Sequence, residues 1–420
     1  MIDQLLKHEL TSYQQKFEQE LTGDILPYWI KYAVKPGKDG FYGAADLQGN
    51  PVEANLSCVL TARILWTYSE AAILYNKNQD FAQMAHLAFR VLQEKFLDPD
   101  YGGYFMEIAP DGTVASDIKH TYAQAFVIYA LSKYMELVQS DKILGIIRGF
   151  YILLESKAKD PLHAGYFEAF TRDWQLYEEN RMADNNEPRS MNTHLHVMEA
   201  YAALYKIWSD ERVRVRLTEL LDLFIERIIR PTGHLGIFFD VDFNEVDATK
   251  GTCSFGHDIE ASWLLMEAAD ILKDDRIKGM MKPLCILMAD AVAREGVDQD
   301  GGLFLESTRF GSHLRTNKHW WPQAENLVGF MNAFEMTGDK KYWEIVKKAW
   351  YFIDTHLIDH QYGEWFTKVS RLGVPYLIEP AGDPSPYYRN DWKIDPWKCP
   401  YHNGRAMGEL VRRCGNMLRC

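Results

Sequence analysis

The apolar positions of this chain fall into two kinds of helical stripe that alternate along its 420 residues. The first kind is amphipathic, with hydrophobic residues three and four apart and charges on the opposite face. Its members are 4–21, 80–97, 142–157, 211–229, 275–293 and 340–357. The run Arg212-Val213-Arg214-Val215-Arg216-Leu217 marks how solvated their outer faces are. The second kind is richer in small and aromatic residues and opens on polar or aromatic groups: 55–74, 120–137, 192–208, 258–272, 323–336 and 403–417. Between pairs recurs a glycine followed by a strand-like aromatic run, at Gly40, Gly103, Gly165, Gly236, Gly302 and Gly363. Turn signals such as Ala109-Pro110-Asp111-Gly112 then suggest short hairpins.

Six helix pairs at a near-constant period predict an all-α fold, an (α/α)6 toroid with inner and outer rings sharing one core. The whole chain, 1–420, is read as a single catalytic domain. The stretch 372–396, rich in Pro, Gly, Asp and Tyr, falls inside the last repeat and reads as a loop over the site rather than a linker.

In such a ring the first turns of the inner helices converge on the axis, where free N–H groups and helix dipoles favour anionic character. Those turns carry Arg63, Tyr122, Asn192, His196, His257, Glu260, Trp321, Gln323, Glu325, Trp397 and His402. His257 and Glu260 lie three apart, which puts a carboxylate beside an imidazole; a plain surface ion pair is the competing reading. His194 and His196 are about 200° apart on a helix, so at most one faces the axis, and Asn192 shares the face of His196. Trp320 and Trp321 diverge by about 100°, one to pack and one to stack on ligand.

Composition narrows the partners. A net charge of −13 without a basic block argues against nucleic acid. No apolar run approaches a membrane span, and the start of the chain lacks the features of a signal peptide. Six cysteines without a CxxC pair read as reduced thiols of a cytoplasmic protein. No nucleotide-binding or HExxH fingerprint is present, so no metal and no cofactor is expected, and oligomeric state stays open. Histidines at one end of the ring suit proton transfer at neutral pH.

Four stretches carry a resemblance: 192–196 (Asn-Thr-His-Leu-His), 256–263 around His257, 320–325 (Trp-Trp-Pro-Gln-Ala-Glu) and 397–403 (Trp-Lys-Cys-Pro-Tyr-His-Asn). In this order the chain resembles the N-acylglucosamine 2-epimerase superfamily, and within it the epimerases of β-1,4-linked disaccharides. The resemblance implies an (α/α)6 barrel and cofactor-free sugar epimerisation. It makes His257 and His402 the acid/base pair and gives Glu260 the support of its histidine. Arg63, Tyr122, Asn192 and His196 would hold the reacting end, and Asp184, Trp321 and Trp397 would contact sugar. Glu325 is placed with the substrate-binding set. The expected reaction is 2-epimerisation of the reducing-end glucose of cellobiose or lactose, by ring opening and proton transfer through an enediolate. A mannose 2-epimerase or mannose–fructose isomerase is the near alternative. A glycoside hydrolase on the same toroid, for which Asp184 and Glu325 are the best carboxylate pair, is the remote one.

Overall fold

A computed structural model describes residues 3–177, 186–308, 310–378 and 389–419. Its helices, in chain order, are α1 (Gln4–Glu20), α2 (Leu26–Tyr32), α3 (Cys58–Leu74), α4 (Gln79–Val91), α5 (Thr121–Val138), α6 (Asp141–Lys157) and α7 (Met191–Ile207). They continue as α8 (Glu211–Leu223), α9 (Phe255–Leu272), α10 (Asp275–Glu295), α11 (Trp320–Thr337), α12 (Lys340–Phe352) and α13 (Tyr401–Arg419). The odd-numbered helices from α3 onward form a closed inner ring, with α13 packed between α11 and α3. They are buried almost all round, whereas α1, α4, α6, α8, α10 and α12 bury one face and form the outer ring. This (α/α)6 toroid encloses one continuous hydrophobic core.

Short carboxylate and amide side chains cap most of the outer helices. Asp3, Asn78, Asp210, Asp274 and Asp339 each accept a backbone N–H at the start of an outer helix. Four outer helices end in a widened π turn, at Leu21–Ile25, Leu92–Phe96, Phe224–Ile228 and Ile353–Leu357. That turn carries the helical pattern on to Leu97, Ile229 and Leu357, the ends predicted from periodicity. In every repeat the chain then makes one bridge to its own aromatic run: Val34 to Phe41, Leu97 to Tyr104, Lys159 to Tyr166, Ile229 to Leu235, Val297 to Leu303 and Ile358 to Trp365.

Two of the six glycines are therefore out of phase with the repeat. The residue before the bridge is Gly40, Gly103, Gly165 and Gly302 in four repeats, but His234 and Glu364 in the others. Gly236 and Gly363 sit to either side of these positions, and only the local abundance of glycine makes them look equivalent.

Strands of two or three residues stitch successive repeats together. Leu56–Ser57 pairs with Glu107–Ile108, Lys119–His120 with Ala169–Phe170, Arg189–Ser190 with Phe238–Phe239, Cys253–Ser254 with Glu306–Thr308 and Lys318–His319 with Lys368–Val369. The first strand of each pair runs straight into an inner helix, so the pairing pins the five helix starts on one rim. The stretch 372–396 is not wholly a loop, because Trp392–Ile394 pairs with Ala44–Asp46 and ties the last repeat to the first.

Candidate active site

The inner-helix starts bring eight of the expected residues to the axis: Arg63, Tyr122, Asn192, His196, His257, Glu260, Trp321 and His402. Glu325 lies among them, fully buried. Trp397 follows a turn built by Asp395, whose Oδ1 accepts the N–H groups of Trp397 and Lys398. Its half-buried ring meets the Tyr122 ring edge-on at 5.9 Å. Asp184 lies outside the described residues.

Of the tryptophan pair, Trp320 is buried and Trp321 turns inward. The Trp321 ring lies 4.7 Å from that of His257 and 5.7 Å from that of His402. It is therefore a wall shared by both histidines rather than a platform at the outer rim. His194 points away from the axis, as the helical angle requires. Its Nδ1–H donates to Ser190 O, and its Nε2 accepts the Tyr166 N–H at 2.9 Å. Both ring nitrogens are thus committed to backbone.

The expected pairing of Glu260 with His257 does not form. Glu260 turns instead to the Arg405 guanidinium at 2.8 Å, and His257 Nδ1 is 2.7 Å from Ser254 Oγ. Ser254 caps α9 only by position, because its hydroxyl is taken by the histidine. Helical spacing does join a carboxylate to an imidazole here, but in another pair: the i,i+3 contact is His196 Nδ1 to Glu199, at 2.8 Å. Glu325 likewise moves from the substrate-binding set to a positioning one. Its Oε1 accepts from His402 Nδ1 at 2.7 Å, and its Oε2 accepts the Trp263 Nε1–H at 3.0 Å.

Arg405 is the hub that sequence reasoning missed. Its guanidinium bonds Glu199, Glu260 at 2.8 Å and Glu325 at 2.7 Å, and rests on the rings of Trp263 and Tyr401. Glu260, Glu325 and His402 converge closely enough for a metal ion, but Arg405 already bonds both carboxylates. Burial raises the Glu260 carboxyl well above its usual range, and repulsion from Glu325 adds to this. Burial acts the same way on Glu325, but Arg405 and the His402 hydrogen bond outweigh it and hold it at about 2. The same balance, with Arg405 and His196, keeps Glu199 low. Of the three carboxyls Glu260 is thus the one whose proton is favoured, while Arg405 favours the anions of Glu199 and Glu325.

Arg63, 2% exposed, is different: among the described residues it has no carboxylate partner. It donates to the Tyr122 hydroxyl at 2.8 Å and lies against the rings of Phe126 and Tyr401. Of the two buried cations, Arg405 is committed to carboxylates and Arg63 is not. The Asn192 Oδ1 is also buried without a partner, on the face of α7 that carries His196.

Desolvation pushes the imidazoles of His257 and His402 down to about 3, so both are neutral at pH 7. For His402 the Glu325 carboxylate fixes the proton on Nδ1 and leaves the Nε2 lone pair free to act as a base. Glu325 also opposes the desolvation, because a carboxylate favours imidazolium. Glu325→Gln should therefore lower the His402 pKa further and move the acidic limb of kcat to lower pH. Glu260→Gln, at a side chain that bonds Arg405 and lies 3.9 Å from His402 Nδ1, should move that limb less; a pH–rate profile of both variants distinguishes the two side chains.

A buried pair of neutral histidines, an uncommitted guanidinium and an aromatic wall suit proton transfer at carbon with negative charge developing on oxygen. Comparison with known proteins points the same way. The cellobiose 2-epimerase of Bacteroides fragilis is 37% identical over 98% of this chain and 100% of its own length. The structure of cellobiose 2-epimerase from Bacillus thermoamylovorans superposes with a TM-score of 0.88 at 32% identity, covering 96% of this chain and all of that one. A D-mannose isomerase structure shares the fold, with a TM-score of 0.80 at 19% identity over 95% and 97% of the two chains. The model of the N-acylglucosamine 2-epimerase family matches residues 40–389, and the chain belongs to that family.

Proposed function

We propose that this protein is a cofactor-independent sugar 2-epimerase acting on the reducing-end glucose of a β-1,4-linked disaccharide, cellobiose or lactose. The observation that carries the reading is the pairing of two desolvated histidines, His257 and His402, across one aromatic wall beside the uncommitted Arg63. Residues 1–420 are taken as a single catalytic domain. A cytoplasmic location accords with the five described cysteines, all of them free. Among the described residues no helix is long and apolar enough to cross a membrane.

The opened sugar presents an aldehyde whose neighbouring C2–H is weakly acidic. One imidazole takes that proton through Nε2, and the C–H electron pair becomes the enediolate. Arg63 and the Tyr122 hydroxyl face the new negative charge on oxygen, in a site dry enough to strengthen the attraction. The second imidazole, neutral in the free site, takes up a proton from solvent as the negative charge of the enediolate develops beside it, and gives that proton to the opposite face of C2. The first imidazole is left holding the C2 proton and returns it to solvent, so both histidines are neutral again before the next turnover. His196, held by Glu199, and Asn192, with its free Oδ1, supply hydrogen bonds that orient the sugar end.

The second sugar is assigned to Trp397, whose ring is only half-buried, with Asp184 as a hydroxyl partner. Trp321, enclosed by the histidines, serves the reacting ring. The test is incubation with cellobiose, lactose, mannose and glucose in D2O, with NMR of the products. Deuterium at C2 of a new mannose-ended disaccharide is the expected result. A tenfold higher kcat/KM for mannose than for cellobiose, about 1.4 kcal/mol of transition-state binding, replaces this reading with a monosaccharide epimerase. Release of monosaccharide without exchange at C2 replaces it with a hydrolase.

A further inference from the structure

The fourth residue of an inner helix has a recurring role, as acceptor for the backbone N–H of the bridge residue in the preceding hairpin. Gln124 accepts from Tyr104, His194 from Tyr166, Asp258 from Leu235 and Gln323 from Leu303. Three of these side chains are neutral, His194 included, since burial pushes its imidazole down to about 3. Each neutral clamp is matched by glycine before the bridge, at Gly103, Gly165 and Gly302. A Cβ built at Gly165 would collide with His194, and one at Gly103 would meet the Trp174 ring first and press on Gln124 at 3.1 Å.

Repeat four breaks the rule at both places together. Its clamp is the short, fully buried carboxylate Asp258, and the space freed is filled by His234. His234 Nδ1 donates to Asp258 at 2.7 Å, and its Nε2 lies 3.0 Å from Glu295 at the end of α10. Asp258 is the residue after His257, on the first turn of α9.

We propose that His234 and Asp258 are positioning residues for His257: a charged clamp that holds the first turn of α9 in register and releases it when His234 loses its proton. The inference rests on the epimerase reading for its kinetic readout alone. The groups facing His234 are Asp258 on α9, Glu295 on α10 and Cys253 on the strand before α9, with Arg230 near Asp258 and Arg294 bonded to Glu295. Burial alone would lower the imidazole, but the hydrogen bond and charge of Asp258, with Cys253, raise it to about 10. A group whose folded pKa is raised contributes stability fully below its unfolded value near 6.5, and loses that contribution as pH rises toward the folded value. The clamp is therefore intact at neutral pH and loosens on the alkaline side.

The test compares wild type, Asp258→Asn and the double variant His234→Gly/Asp258→Gln, which installs the neutral clamp of repeats two and five. Asp258→Asn should lower kcat at pH 7 by about 10- to 100-fold, the scale of a small misplacement of a reacting group, with KM nearly unchanged. The double variant should recover most of that loss. Between pH 8 and 10.5 its Tm and kcat should stay level where those of wild type fall together. An alkaline fall identical to wild type in the double variant, or wild-type kcat in Asp258→Asn, overturns the proposal. NMR of 15N-histidine-labelled wild type needs no variant to fold: an imidazolium at position 234 persisting above pH 8 supports the clamp, and a neutral ring at pH 8 sinks it. This and the Tm comparison stand even if cellobiose is not turned over, so failure of the clamp and failure of the epimerase reading are told apart.

Discussion

His402→Ala is expected to reduce epimerisation by about 10²–10⁴-fold, and His257→Ala by a similar factor, the usual range for loss of a general acid or base. The two losses should differ in kind. His402 has its Nδ1 proton fixed by Glu325 and its ring against Trp321, so its Nε2 is an oriented base before substrate arrives. His257 has only the Ser254 hydroxyl at Nδ1, which can donate or accept and so allows either tautomer. In D2O, a variant that keeps one histidine should still exchange hydrogen at C2 slowly from one face while failing to invert it. Measuring exchange and inversion separately on each variant checks this. Equal, near wild-type inversion in either one would mean that the two-histidine scheme is wrong.

Arg405→Leu is the second large effect, and it falls on folding before chemistry. The guanidinium is the cation bonded to Glu199, Glu260 and Glu325, all buried. Removing one partner of a buried ion pair costs about 3–5 kcal/mol, because the charge left behind has no solvent to stabilise it. Here Glu199 and Glu325 would both lose it. Each must then take up a proton at neutral pH or open the barrel to water. Tm should drop sharply and recover in part on acidification, opposite to the trend of an ordinary acid-sensitive protein. The triple replacement of Arg405 by Leu with Glu199 and Glu325 by Gln should regain stability without activity, since His196 and His402 would keep hydrogen-bonding partners but lose carboxylate support. Chemical denaturation of the two variants at pH 5 and pH 7.5 provides the comparison.

The two rings were legible in the sequence because burial all round and burial on one face leave different hydrophobic patterns over fifteen or more residues. Three of the four π turns fell within the predicted helices, since they continue an apolar face rather than break it, whereas Leu21–Ile25 runs on beyond the predicted end at Leu21. His196 was separable from His194 by helical angle alone. What could not be read were contacts between helices. Arg405 lies three residues beyond His402, an inward position visible on a helical wheel, but its partners Glu199, Glu260 and Glu325 come from three other helices. Glu260 sits one turn from His257 and still turns to that guanidinium, because Arg405 offers a buried donor while His257 Nδ1 is taken by Ser254. The phase of the glycine repeat failed for a related reason: His234 and Glu364 occupy the positions before the bridge through bonds to Asp258 and to Lys398 and Asn403, distant in sequence.

The closure of the ring by α13 has a consequence for synthesis. The last inner helix supplies His402 and Arg405, and the strand Trp392–Ile394 just before it completes the sheet begun at Ala44–Asp46. A nascent chain that has made five repeats already carries Glu199, Glu260 and Glu325 on helices that face one another, but not yet the cation that lets them be buried together. The partial barrel is thus held open by its own charge until the C-terminal helix arrives. Contacts spanning nearly the whole chain, such as that of the Gln14 side chain with Val411, then form late and slowly. An incomplete product of translation would be both inactive and unable to close, and a protease would find its first five repeats accessible.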